Sequence, residues 1–487
     1  MNKPPSFEEA NRLPPRWAES QRFVPRTFVQ PALTFMRNEA AGGIFMLVAA
    51  VAAIVWANSA WGDSYFDLFS AKIEIAFGHF HFHHLSELTV QQWINDALMV
   101  IFFFVVGLEI KRELVVGELR DPKAAALPAI AALGGMVVPA LLFLAFNGGT
   151  EAGRGWGIPM ATDIAFAVGV ISMVGTRVPI GAKLFLLALA IVDDLGAILV
   201  IALFYTTDMS MAWLAAAVGG LVVTWLMNRG GIRSTLAFVV VGAFVWLAFL
   251  ESGIHATVAG VALALLTPLS SHYEPRLFAP RATALVRRVD EYLPPDSHDL
   301  QGADHHTLER VSVVLNDLKR LSHDTLPPLD RLEFTLSPWA SFVIVPLFAL
   351  ANAGVRIPSG ELSTMLSNDV TLGVAIGLFV GKLTGVVGAS FLAIKLGLGR
   401  LPRQTTWHHM IGVGLLAGIG FTVALFVSAL SFSDPLLADA SKIGIFAASL
   451  VAGVLGFVWL RYLGPAPVEA PETAAVGHET ADVPAAH

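Results

Sequence analysis

The sequence predicts an all-α polytopic membrane protein with twelve transmembrane helices, and three observations carry that prediction. First, the 487 residues are 55% hydrophobic and only 14% charged, with a mean hydropathy of +0.66. No soluble core needs so many apolar runs of about twenty residues. Second, Leu184–Tyr205 is a 22-residue apolar run whose only charges are Asp193 and Asp194, its tenth and eleventh residues. At about 1.5 Å per residue both sit near the centre of a bilayer. Third, with both termini on one side, 26 of the 31 Lys and Arg residues fall on that side and only Lys72, Arg154, Arg356 and Lys442 on the other. The positive-inside rule makes the rich side the cytoplasm.

Other bulk properties say less. The net charge of −7 matters less than its distribution. Cysteine is absent, so disulfide and thiol chemistry do not enter. Residues 1–33 read as a cytoplasmic extension. They are polar and rich in Pro and Arg, without an apolar core ahead of a small-residue cleavage site. The first span is therefore expected to drive insertion.

The transmembrane domain is expected over 34–462. Helix 1 is roughly Ala40–Trp56. Residues 61–90 fall short of spanning length. Within them the stretch 71–86, mainly Lys72–Ser86, alternates apolar and polar residues around Gly78, as a small outer β-hairpin would. Its His79, His81, His83 and His84 fit either a metal site or the period-two face of an exposed strand. Helix 2 runs about Gln92–Ile110 and ends in a charged cluster. Helix 3 is Ala124–Phe146, helix 4 Gly155–Val174, and helix 5 holds the aspartate pair. Helices 6, 7 and 8 follow at Met211–Met227, Thr235–Leu250 and Gly253–Leu269. A polar cytoplasmic insertion over 270–332 cannot span. Its stretch Thr307–Leu321 carries Leu308, Val311, Leu315 and Leu318 at helical spacing, as a surface helix would. Helices 9 to 12 are Leu336–Ala353, Val370–Ile394, Met410–Leu430 and Leu437–Leu460. The Ala/Pro/Glu-rich tail over 463–487 is expected to be disordered and cytoplasmic.

Three spans carry charge at their middles. Asp163 is the ninth residue of Gly155–Val174, the pair Asp193 and Asp194 was placed above, and Lys382 is the thirteenth of Val370–Ile394. An ionised carboxylate at that depth costs from about 2.5 kcal/mol upward, and a lone Lys costs as much. Three acids and a base at one height are best explained by one shared cavity. Helix 4 also carries Gly157, Pro159, Thr162 and Gly169, and helix 11 carries Gly412, Gly414, Gly418 and Gly420. The helix 11 glycines fit close packing or a break. Beside the interrupted, acid-bearing helix 4 the break is favoured. Paired breaks in corresponding halves point to a transport site.

Carboxylate oxygens are hard ligands and suit a small hard cation such as Na+. Proton and cation need the same oxygens at Asp193 and Asp194, and the two acids should titrate as a coupled pair. Competition at a site opened alternately to each side gives antiport. No cofactor, nucleotide or nucleic acid is implied. Gly381-Lys382 is followed by Leu383 inside a helix, which is no phosphate-binding loop.

The stretches GLEIKREL (107–114), MATDIAFAVG (160–169), ALAIVDDLGAI (188–198), SGIHATVAG (252–260), PLFALANAGV (346–355), GKLTG (381–385) and LAGIGFTVALF (416–426) together resemble the NhaA-type sodium/proton antiporter family, over roughly 35–462. That family is itself one of the cases from which the paired-break pattern was drawn. The resemblance implies inverted repeats of helices 3–5 and 10–12, with helices 4 and 11 crossing as broken helices. It implies a secondary transporter in a bacterial inner membrane, exchanging intracellular Na+, and Li+, for external H+ electrogenically. Asp193 and Asp194 would hold ion and proton, with Asp163 and Thr162 beside them and Lys382 paired to Asp193. Asp96 would lie along the cation path. A homodimer joined through the 71–86 hairpin is implied too.

The resemblance further implies pH regulation at the cytoplasmic mouth through Glu109, Arg112, Glu113, His255 and Glu333. An ordinary interfacial salt-bridge cluster, or helix packing for His255, fits the same residues. Phe334 and Ser337 stand where well-known relatives have histidines, the side chain poised to titrate near neutrality. Two other classes compete with antiport. An intramembrane aspartyl protease needs acids from two helices converging on one water, whereas Asp193 and Asp194 lie about 100° apart on one helix. A cation channel or sensor using the same buried carboxylates is the alternative function.

Overall fold

A computed structural model describes residues 41–73, 88–206, 209–232, 234–271, 273–292, 305–357 and 362–463. The 74–87 part of the expected hairpin, with its four histidines, and both terminal extensions lie outside the described residues. What is described at the hairpin's base is an antiparallel bridge between Lys72 and Thr89.

The described residues are almost wholly helical. Helix α1 is Ala41–Ala57 and α2 Gly62–Ser70, the chain bending 113° between them. Helix α3, Val90–Val115, starts on a capping box made by Thr89 and Gln92. Helix α4 is Pro122–Asn147, begun by the Asp121 cap with Pro at its first position. A 3-10 helix over Glu151–Met160 then leads into α5, Ile164–Val174. Helix α6, Ile180–Phe204, bears the aspartate pair. Helices α7, α8 and α9 are Met211–Arg229, Thr235–Glu251 and Thr257–Leu266. Within the insertion lie α10, Phe278–Tyr292, and α11, His305–Thr325, packed on each other. Then come α12, Pro328–Asn352, the short α13, Leu362–Leu366, and α14, Asp369–Lys395. Helices α15, Trp407–Ala417, and α16, Phe421–Ser431, meet at 42°, and α17 is Pro435–Leu463.

Eight of the described helices are long and apolar enough to cross a membrane, or ten if each bent pair counts as one span. Helices α8 and α9 are apolar but shorter. Helix α12 starts eight residues before the expected Leu336. Its first turns carry Asp330, Arg331 and Glu333, so hydropathy alone hides them, yet Pro328 in the first turn is pre-set for helix. In α11 the buried stripe is Val311, Val314 and Leu321, whereas Leu308 and Leu315 are exposed. Helix α10 was not expected at all, although its sequence FAPRATALVRRVDEY carries apolar residues at helical spacing.

The packing that positions the site is made by glycine. A Cβ on Gly385 of α14 would strike the backbone of Gly134 on α4, and one on Gly134 would strike the carbonyl of Gly385. The two backbones therefore touch, as small residues permit between apolar helices. Gly135 faces the Lys382 chain: a Cβ there would come within 3.7 Å of the Lys382 Cδ. A π turn over Gly377–Gly381 directly precedes Lys382, and another over Ile94–Leu98 holds Asp96. Such turns cluster at functional sites because they re-aim the side chains that follow.

Replacing Gly385 by Val should push α4 from α14. Overpacking of this kind costs about 1–3 kcal/mol. The expected result is a lowered midpoint of thermal unfolding in detergent, with exchange activity falling alongside it.

Candidate ion-binding site

The site is built where helical hydrogen bonding stops. Residues 161–163 are non-helical, with Ala161 and Asp163 extended, and 418–420 interrupt the chain between α15 and α16. Backbone groups freed inside an apolar protein need other partners, and here each break answers the other. The Asp163 amide donates to the Ile419 carbonyl at 2.6 Å. The Thr162 hydroxyl donates to the Ala417 carbonyl at 2.9 Å, at the C-terminal end of α15. The Asp163 carboxylate caps two helices at once. Its Oδ1 accepts from the Phe166 amide at 3.0 Å, closing the start of α5. Its Oδ2 accepts from the Thr422 amide at 3.1 Å and the Thr422 hydroxyl at 2.6 Å, closing the start of α16. A side-chain oxygen that caps a helix N-terminus is worth about 1 kcal/mol, and here one carboxyl group caps two. Gly420 is required by this approach: a Cβ there would come within 3.1 Å of the Ala161 carbonyl.

Asp193, Asp194, Asp163, Thr162 and Lys382 are each at most 4% exposed. The Lys382 ammonium pairs with Oδ2 of Asp193, both side chains fully buried. This pair is supported on one side only. Oδ1 of Asp193 and Oδ1 of Asp194 are buried with no hydrogen-bond partner. Buried carboxylate oxygens are otherwise nearly always satisfied. Asp163, Asp193 and Glu109 lie within electrostatic reach of Asp194, as does Lys382. The helices thus bring the three acids and the one base together as buried neighbours. Among the described residues no cluster of three or more His, Asp or Glu side chains forms a preformed metal cage. The donor set is two hard oxygens without partners, suited to an alkali ion or a proton.

A cavity of about 780 Å³ opens at the Arg112 end of the bundle, lined by Glu113, Gly117, Arg120 and Asp121 and floored by Leu184, Leu187 and Ala188 of α6. Leu187 and Asp194 are seven residues apart, two turns along one helical face, so the cavity points towards the aspartates. Near its rim Arg112 pairs with Glu333 at 2.6 Å, and the Glu118 amide donates to Glu113 at 3.0 Å. Glu109 lies within reach of Glu333, Arg112 and Glu113. One buried oxygen of Glu333, Oε2, has no partner.

Two expected site residues lie elsewhere. His255 does not join the Glu109–Arg112–Glu333 group. Its Nε2 lies 2.8 Å from the Tyr205 carbonyl, beyond the far end of α6. The reason is packing: α9 runs alongside α3 with Gly260 on Val100 and Lys111 bonded to the Leu265 and Thr267 carbonyls. His255, before α9, is therefore level with the start of α3. Asp96 is at that same end, where Trp246 donates to its carbonyl at 3.0 Å. Beside it Asn95 and Asn352 exchange side-chain hydrogen bonds of 3.1 and 2.7 Å. Sequence reasoning missed Thr422 as a site residue. Its place just after the second break, mirroring Asp163 after the first, was the available signal.

Comparison with known proteins matches residues 33–460 to the family described as Na+/H+ antiporter 1. A protein of Oleidesulfovibrio alaskensis named Na(+)/H(+) antiporter NhaA is 45% identical over 433 residues, 89% of this chain and 94% of its own. Its namesake from Syntrophobacter fumaroxidans is 43% identical over 90% of this chain and 91% of its own. The one from Christiangramia forsetii is 41% identical over 88% and 94%. With the paired helix breaks and the buried aspartates between them, this similarity across nearly the whole length makes the chain a member of the NhaA sodium/proton antiporter family.

Proposed function

We propose that this protein is a secondary active antiporter that exchanges Na+ for H+ at Asp193 and Asp194. The observation that carries the reading is the pair of unpartnered buried carboxylate oxygens next to the Lys382–Asp193 ion pair, between two mutually bonded helix breaks. Family membership supports it. A cation entering from the Arg112 end takes the Asp194 and Asp193 oxygens, and the protons held on Asp194 and Lys382 must leave. Binding of one excludes the other, so each reorientation carries either ion or proton. Lys382 holds Asp193 in place and is itself a proton carrier when the cation draws Asp193 away. With more than one proton per Na+, exchange is electrogenic, and Li+, also small and hard, is a second substrate.

The finer architecture belongs to this proposal. Helices α1, α3, α4, α5 with its 3-10 lead, α6, α7, α8, α9, α12, α14, the α15–α16 pair and α17 are the twelve spans. The two interrupted spans are crossing half-helices of an inverted repeat. The charge bias sets both termini in the cytoplasm of a bacterial inner membrane, with the Arg112 end inward. Asp96 then lies on the outer cation path. Glu109, Arg112, Glu113 and Glu333 form a pH-responsive inner mouth, and His255 acts on the outer side. The protein is a homodimer joined through the 71–86 hairpin. A channel or sensor lacks any need for the lysine on Asp193, and nothing specific favours it.

Asp194→Asn should abolish the Na+-induced dissipation of a preformed pH gradient in everted vesicles. Normal Na+-driven exchange by that variant would overturn the carboxylate site, and a downhill Na+ leak without proton movement would favour the channel. Asp163→Asn keeps an acceptor at only one of the two caps, yet leaves the Asp193 and Asp194 oxygens in place, and should impair exchange less than Asp194→Asn does.

Lys382→Ala leaves Asp193 buried without its partner, a change worth about 3–5 kcal/mol. The thermal midpoint should drop markedly. Removing both charges, with Asp193→Asn and Lys382→Gln together, should recover most of that loss, as a double-mutant comparison of melting curves would reveal.

A further inference from the structure

The ion site has two halves from different parts of the chain. Asp193 and Asp194 stand on α6, and Thr162 and Asp163 stand at the first helix break. To share one cation they must keep a fixed spacing. The segment that leads into the break is the weaker support. Glu151–Met160 is a 3-10 helix of ten residues. Runs beyond about four are uncommon, because the hydrogen bonds are poorly aligned and the side chains eclipse. Gly153, Gly155, Gly157 and Pro159 within it disfavour an α-helix instead. Such a segment needs outside contacts to hold its place.

Tyr205, at the end of α6, supplies them. Its hydroxyl accepts from the Gly157 amide at 3.2 Å and donates to the Arg154 carbonyl at 2.8 Å. A phenol is donor and acceptor at once, so both bonds stand together. The fit is close: a Cβ on Gly157 would come within 2.7 Å of that hydroxyl. The Tyr205 backbone is itself held. Its amide donates to the Ile201 carbonyl at 3.2 Å, and its carbonyl meets His255 Nε2. The other neighbours of the lead are apolar. A Cβ on Gly155 would meet the rings of Phe432 and Phe143, and one on Gly377 would meet the Pro159 ring. Apolar contacts are non-directional. They keep the lead in the bundle without fixing its advance along its own axis, which the two hydrogen bonds do.

Tyr205 follows Asp194 by eleven residues. That is about 16 Å and three turns, so both stand on one face of α6. Gly157 precedes Thr162 by five residues. One hydroxyl thus closes a frame whose opposite corner is the ion site. From it α6 runs to Asp194, and the 3-10 lead runs to Thr162. We infer that Tyr205 is a positioning residue for the cation, setting the Thr162–Asp163 break against the Asp193–Asp194 pair through its grip on the 3-10 lead. A site whose supports let it drift by about 1 Å is present but too loose to work well.

This rests on the antiport reading above, and the test separates the two. The full-length protein in proteoliposomes is assayed for Na+-driven exchange at one pH with Na+ varied. In Tyr205→Phe the ring stays and the hydroxyl goes. The KM for Na+ should rise about fivefold, the weight of about one net hydrogen bond. The maximal rate should stay within about twofold, as when binding alone is lost. Hydrogen exchange over residues 154–162 should rise in the same variant. Gly157→Ala strains the same bond from the other side and should raise KM alike, so the comparison survives failure of either variant to insert. With the hydroxyl gone the added methyl meets only ring carbons at 3.3 Å. The double variant should therefore be no worse than either single one. Phe204→Leu removes the neighbouring ring contact with Trp156. It should lower the thermal midpoint without moving KM. An unchanged KM in Tyr205→Phe and Gly157→Ala, additive effects in the double variant, or an equal rise in Phe204→Leu would overturn the inference. A wild type without Na+-driven exchange, alongside raised hydrogen exchange over 154–162 in Tyr205→Phe, would remove the antiport reading and leave the grip on the lead standing.

Discussion

A backbone carbonyl or amide left without a partner inside an apolar bundle costs several kcal/mol, and this constraint governs the rest of the structure. Two chain segments stop being helical at 161–163 and 418–420, and they do so against each other. Thr162 serves the end of α15, the Asp163 amide serves Ile419, and the Asp163 carboxylate serves the starts of α5 and α16. Neither break is tenable alone. Together they place a carboxyl group where the starts of two helices converge.

Lys382 and Asp193 follow from the same logic. Each buried charge is costly singly, and the pair offsets that cost only because close α4–α14 packing through Gly134 and Gly385 delivers the lysine to α6. Asp194, next in the chain, shares the field but has no such partner. The asymmetry within one dipeptide leaves one carboxylate held by Lys382 and the other without such a partner.

The two ends of the bundle differ in kind. At the Arg112 end a wide cavity is rimmed by paired charges, and the insertion reaches that rim through Arg331. At the Tyr205 end the Tyr205 hydroxyl accepts from the Gly157 amide and donates to the Arg154 carbonyl, while His255 meets the Tyr205 carbonyl. Charge lines the cavity at the first end, and hydrogen bonds between helices tie the second together.

By itself the sequence determined that apolar helices cross a membrane and that Asp163, Asp193, Asp194 and Lys382 share one depth. Burial cost is a property of residue type and position along a helix, and 1.5 Å per residue converts one into the other. Glycine and proline near position 160 and glycines at 418 and 420 announced the breaks for the same local reason. Which breaks satisfy each other, that Lys382 meets Asp193 and leaves Asp194 unpaired, and that His255 lies apart from Arg112 were decided only by the tertiary structure. These depend on how helices distant in the chain slide and turn against one another. Glycine contacts such as Gly260 on Val100 and Gly385 on Gly134 fix that register, and no spacing within a single helix encodes it.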